Sequence, residues 1–360
     1  MLTSTKLRSI SFLVAYALIH HANGASDENI ALDTLDTLIS ESQPHVREDL
    51  IDDQRYLSRL GTLLAELESQ LLGTEKAHEF FVQASRYGLP SYDNLKFRDN
   101  YIVSYDNSLK HPNGVLECLK GTKVRRSKSI SRMWDGFDSD GSVHERFRAT
   151  DDDYRDSGFD REHYSAACNN KCDQGQLNQA YLYTNVAPQV PELNRARRVW
   201  SRLESYVVFL LRRSRTTYVI TGSLYLPEKV HQGRGRVEQQ VRYRVIGRNR
   251  VAVPGFFYKI ILYESNAGFP SMEAFVLPNS DRLDGSEEVG RYRIDILRDL
   301  PRIEEFTGLR FFESLRRSSI ALPARFKYGY QELVPGSYDY ELQYQPAGLT
   351  EYLYGPIEWG

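Results

Sequence analysis

Three hundred and sixty residues, 41% hydrophobic and 12% aromatic, are enough to bury a core, and no apolar run reaches the ~18 residues of a membrane span. Three cysteines exclude a disulfide framework, and a net charge of −2 selects no partner by itself. The charge is unevenly placed. Ser26 to Ser85 hold 13 acidic and 4 basic residues, whereas the later chain gathers bases at Lys120–Arg132, Arg195–Arg202 and Arg242–Arg250. Arginines are 35 of the 46 basic residues, and their planar fork suits phosphate oxygens as well as an ordinary solvated face.

Residues 1–25 read as a targeting segment: Lys6 and Arg8 precede the apolar stretch Phe12–Ile19, and no acid appears before Asp27. Its grammar fits secretion better than an arginine-rich transit peptide. Residues 26–84 form an acidic helical extension in which Leu57, Leu60, Leu64, Leu67 and Leu71 make a narrow seam, for self-association or for packing on the next domain, closed by Gly73. From residue 85 to 320 the pattern turns to strands at Tyr101–Tyr105, Gly114–Leu119, Tyr218–Thr221, Val241–Val245, Phe256–Leu262 and Ala274–Leu277. One helix interrupts them, with Val199, Trp200, Leu203, Tyr206, Val207, Leu210 and Leu211 as its buried stripe. The expected fold is α+β with a mixed, mostly antiparallel sheet. Residues 321–360 form a Tyr/Pro/Gly-rich tail, read as loosely ordered or as a partner-binding segment.

The chemistry concentrates between Tyr154 and Glu204. If Asp160–His163 is extended, Arg161 and His163 share one face while Asp160 and Glu162 share the other. A guanidinium beside an imidazole can serve one phosphodiester, the ring taking a proton from water and the fork holding phosphate. Asn185, Gln189 and Asn194 offer hard oxygen ligands suited to Mg2+, which keeps most of its waters. A structural histidine is the alternative. Cys168 and Cys172 are read as unpaired thiols rather than zinc ligands, with a local disulfide as the alternative, and Asp151–Asp153 as a solvated turn.

This stretch resembles the signature of the DNA/RNA non-specific endonucleases with a ββα-metal active site, in particular the endonuclease G branch. Its core motif is Asp-Arg-Gly-His; Asp160, Arg161 and His163 match it and Glu162 does not. Further matches follow in the family's order, among them Tyr87–Pro90, Ser142–His144, Asp153–Arg155, Asn185–Pro191 and Val251–Pro254. The resemblance implies a ββα-metal finger and an Mg2+-dependent endonuclease, with Mn2+ as substitute, acting on DNA and RNA and leaving 5′-phosphate ends. His163 is then the general base and Asn194 the direct metal ligand. Glu204 holds a metal-bound water, Asn185 orients the centre, Arg161 stabilises the transition state and Asp160 completes the motif. Arg132 stands as the second phosphate arginine, with Arg195 and Arg198 as nucleic-acid contacts. A homodimer without integral membrane domain is expected, mitochondrial with nuclear release, or secreted if the leader is a signal peptide.

Two departures open the alternative of a catalytically weakened or inactive nucleic-acid-binding member. Glu162 replaces glycine beside the base, where a carboxylate facing the substrate would repel phosphate, whereas an extended strand would turn it away. Asn194 and Glu204 stand 10 residues apart where the resemblance implies eight. At about 100° per residue a continuous helix cannot hold both spacings in one geometry. A bulge or a delayed helix start within Arg195–Val199 must absorb the difference.

Overall fold

The computed structural model describes residues 75–121, 130, 136–195, 197–232, 236–283, 287–313 and 315. The chain divides into two units, residues 1–83 and 84–360. Of the first, only helix α1 (Glu75–Ala84) is described, and its last residue opens the second unit. The targeting segment, the leucine seam and the Tyr-rich tail lie outside the described residues. Among the described residues no helix is long and apolar enough to cross a membrane.

The second unit begins with strands β1 (Leu95–Phe97), β2 (Tyr101–Asp106) and β3 (His111–Leu119). Then come the short helix α2 (Asp151–Tyr154), β4 (Asp160–His163), α3 (Gln174–Ala180), β5 (Val186–Gln189), α4 (Pro191–Asn194) and α5 (Val199–Leu211). Strand β6 (Thr216–Leu224) follows, then the hairpin β7 (Glu228–Gln232) and β8 (Arg236–Gln240), and the two-residue strands β9 (Val245–Ile246) and β10 (Val251–Ala252). Strands β11 (Phe256–Glu264) and β12 (Pro270–Pro278) and helix α6 (Ile296–Thr307) complete the described chain. Six strands form one sheet in the order β1-β2-β3-β6-β11-β12, every neighbouring pair antiparallel. The α+β architecture expected from the sequence is the one found.

Period-two alternation gives the sheet two buried faces, visible in β11. Phe257, Lys259, Ile261 and Tyr263 lie on one face, Tyr258, Ile260 and Leu262 on the other, all buried. Helix α5 covers the first face with Val199, Trp200, Leu203, Val207, Leu210 and Leu211, and the Trp200 ring meets Phe257 edge-on at 5.5 Å. Each such side chain contributes about 1.5–3 kcal/mol by leaving water. Tyr206, expected in that stripe, is only half-buried and donates its hydroxyl to Glu273. The second face packs on α6 and on the Leu309–Phe312 segment, with Phe311 against Tyr258.

The strand expected at Val241–Val245 is not one. Residues 241–244 are irregular, Val241, Tyr243 and Val245 are exposed, and only Val245–Ile246 pairs, with Val251–Ala252. An alternating pattern without a neighbouring strand to bond it leaves its apolar side chains in solvent.

Strands β4 and β5 form a separate antiparallel pair, Asp160 opposite Gln189 and His163 opposite Val186. The chain then turns through α4, which ends at Asn194. Arg197 takes a left-handed φ of 69°, and α5 begins at Val199. The delayed helix start required by the Asn194–Glu204 spacing is what the structure has.

Candidate active site

Strand β4 splits its side chains between two environments. Arg161 and His163 occupy one face, as extended geometry requires. The Arg161 guanidinium lies 5.0 Å from the centroid of Tyr154 and 5.5 Å from that of Phe137. It donates from Nε to the Tyr183 hydroxyl at 3.0 Å and from Nη2 to Asp151 Oδ1 at 2.6 Å. Tyr183 also donates to Asp151, so the side chain is held on two sides, and Nη1 makes no hydrogen bond among the described residues. Asp151, read from sequence as part of a solvated turn, is the clamp of this arginine. Nothing in the residue spacing announces that contact.

His163 packs its ring between Phe137, 5.1 Å away, and Tyr181, 4.9 Å away edge-on. The ring is half-buried as a whole, but Nε2 is sealed and has no hydrogen-bond partner among the described residues. Burial alone pushes its proton affinity down, to a pKa of about 4. The ring is therefore neutral at physiological pH, as an acceptor of protons must be. Asn185, fully buried, spends its carboxamide on backbone: Oδ1 accepts from Ser165 N, and Nδ2 donates to the Ser165 and Ala180 carbonyls. Its own carbonyl accepts from Tyr164 N, so it fixes the chain just past His163 and offers no evident metal oxygen.

The other face of β4 leads to the helices. Glu162, 4% exposed, accepts from Asn194 Nδ2 at 2.8 Å with one carboxylate oxygen and from Trp200 Nε1 with the other. It is thereby turned away from Arg161 and His163. Burial, and secondarily the charge of Glu204, push its carboxyl well above the usual range, opposed by Lys259 and Trp200. Glu204 is raised by burial too and held back by Lys259 and Lys171. Asp160 pairs at 3.1 Å with the exposed Arg195. Arg198 is half-buried at the N-terminus of α5, and Arg132 lies outside the described residues. Gln189 is fully buried, with neither amide atom partnered among the described residues.

Beneath Glu162 lies a group that the sequence reading missed. Lys259 is 1% exposed, donates to Thr221 Oγ1 at 2.7 Å and sits 4.8 Å from the Trp200 ring centroid. It is the cation facing Glu117, Glu162 and Glu204. Glu117 accepts from Ser165 and Asn169, and burial lifts its pKa to about 7. The signal was available: a lysine inside Phe256–Leu262 and a glutamate inside Gly114–Leu119 are charges in otherwise apolar strands, and such charges persist when paired.

The donor set fits a hard divalent cation. With Asn194 Nδ2 committed to Glu162, the Asn194 oxygen is the end left without a hydrogen bond among the described residues, and the Glu204 carboxylate acts by its charge on Glu162. Among the described residues no group of three or more His, Cys, Asp and Glu could hold a metal ion. The Cys168 and Cys172 thiols donate to Asn169 and Gln176.

Comparison with known proteins gives one answer. The model of the DNA/RNA non-specific endonuclease family matches residues 82–318. The mitochondrial endonuclease G of Homo sapiens is 36% identical over 242 residues, 67% of this chain and 77% of that protein. That of Caenorhabditis elegans is 29% identical over 257 residues, 71% of this chain and 79% of that protein. A crystal structure of an EndoG/EndoGI complex, which addresses the mechanism of EndoG inhibition, is similar at a TM-score of 0.60 and 33% identity, covering 67% of this chain and 93% of that one.

Proposed function

Because the chain belongs to the DNA/RNA non-specific endonuclease family, we propose that this nuclease hydrolyses backbone phosphodiesters of both DNA and RNA with Mg2+, using His163 as general base. The observation that carries the reading is the imidazole itself. A half-buried, neutral ring stands on the same face of β4 as a guanidinium whose Nη1 makes no hydrogen bond among the described residues. His163 takes the proton of the attacking water. Arg161, clamped by Asp151 and Tyr183, holds a phosphate oxygen and stabilises the charge that grows on it. Asn194 Oδ1 would hold the metal, and Glu204 would accept from a water bound to it. When bound, the ion neutralises the phosphate and the departing 3′ oxygen, leaving a 5′-phosphate end. Grip on the backbone rather than on base edges gives little sequence discrimination.

Glu162, directed away from the Arg161–His163 face, supports an active enzyme over a merely nucleic-acid-binding relative. The names of the mitochondrial relatives support the same compartment for this protein, and a homodimer is retained as part of the proposal. Conversion of supercoiled plasmid by the full chain with Mg2+ tests the chemistry. Cleavage is expected to stop with EDTA and to fall about 10²–10⁴-fold in His163→Ala. Equal inactivity of both proteins, with DNA binding retained, would leave a binding protein instead.

A further inference from the structure

We propose that Glu162 is a positioning residue of the metal site: by accepting from Asn194 Nδ2 and Trp200 Nε1 together, it fixes the Asn194 carboxamide with its oxygen presented to the cation. The inference rests on the reading of Asn194 as metal ligand and adds to it how that ligand is oriented. A carboxamide has two chemically different ends, and its terminal torsion is soft. Both Glu162 oxygens act as acceptors, one from Trp200 Nε1 and the other from Asn194 Nδ2, so the end facing Glu162 is the NH2 and the oxygen lies on the far side.

Position makes this contact consequential. Asn194 is the last residue of α4 and Trp200 lies in the first turn of α5, joined by a short link in which Arg197 is left-handed. A ligand at the end of a four-residue helix, before such a link, has little local structure to aim it. Glu162 supplies the aim from outside. Its backbone is registered opposite Ala187 in the β4–β5 pair, its side chain is 4% exposed, and its second oxygen is anchored to an indole that is itself 1% exposed. One carboxylate therefore ties the strand that carries His163 to the two helices that carry Asn194 and Glu204. Groups that orient a metal ligand in this way commonly govern affinity by 10–100-fold.

The test is Mn2+ binding to the full chain without nucleic acid, read by the loss of free Mn2+ signal in electron paramagnetic resonance. Wild-type protein is expected to bind one ion at this site, and Asn194→Ala to bind it measurably more weakly. Glu162→Gln is expected to weaken binding about 10–100-fold while keeping the native near-UV circular dichroism, because a glutamine amide can meet Asn194 with a donor and reverse its carboxamide. In the Asn194→Ala background the same change should cost nothing further, which separates orientation from a general loss of structure or charge. Wild-type affinity in Glu162→Gln alongside weakened Asn194→Ala overturns the positioning role alone. Unchanged affinity in Asn194→Ala overturns the ligand assignment and the inference with it. If Glu162→Gln does not fold, the question is read in the wild-type protein. The Asn194 side-chain N–H signals, identified by their absence in Asn194→Ala, should exchange slowly with solvent. Exchange at the rate of a free amide overturns the proposal.

Discussion

An imidazole pressed between Phe137 and Tyr181 cannot hold a charge as water would let it, and that sets the pH behaviour of the site. His163 has a folded-state pKa of about 4, against an ordinary 6.5, with burial as the cause. A general base works only when unprotonated. The acid limb of kcat/KM for plasmid cleavage is therefore expected near pH 4, and a limb centred at 6.5 or above would contradict the burial of Nε2. The stability sign follows from the same depression. Between pH 6.5 and about 4 the unfolded chain binds a proton that the folded one refuses, so stability is complete above 6.5 and declines as the pH falls through that window. His111, fully buried against Tyr225 and also lowered to about 4, adds to the decline in the same direction.

At the scale of elements, the placement of Arg161 depends on a helix of four residues. Asp153, 1% exposed, reaches back to Thr150 N at 2.8 Å and outward to Asn249 N at 2.9 Å and Nδ2 at 2.8 Å, fastening α2 to the β9–β10 turn. That turn passes so close that a Cβ on Gly247 would lie 2.2 Å from Asp153 Oδ1, and Gly247 has a φ of 66°. Gly247→Ala is expected to cost about 1–3 kcal/mol, seen as a lower Tm, and to reduce cleavage by displacing Asp151 from Arg161. An unchanged Tm would show that α2 is held by something else. These contacts were not legible in the sequence, because the partners stand 96 positions apart and no local period connects them. What was legible was periodic. The stripe from Val199 to Leu211 became α5 at those limits, and the apolar alternations became β2, β3, β6, β11 and β12. Val241–Val245 had the alternation without the neighbour, which only tertiary structure supplies. Likewise the extended Asp160–His163 segment correctly predicted which side chains share a face. The destination of Glu162 depended on Trp200 and Asn194, 38 and 32 positions further on.

Across the whole molecule, the sheet acts as a platform on which distant parts of the chain converge. Its face toward α5 carries Glu117, Thr221 and Lys259, a buried polar row on three adjacent strands beneath Trp200 and Glu162. On that base β4 carries Arg161 and His163 on one face and meets Asn194, at the end of α4, through Glu162 on the other, while Glu204 lies on α5. In the proposed reaction the two sides meet across one phosphorus. Crystals of His163→Ala with Mn2+ and a short DNA duplex, measured for anomalous scattering, test it most directly. The expected peak lies on Asn194 Oδ1 at about 2.1 Å, the distance of a compact octahedral cation, with a backbone phosphate between it and residue 163. A peak coordinated by other residues, or a phosphate seated away from position 163, would contradict the assignment of base and metal ligand to a single reaction centre.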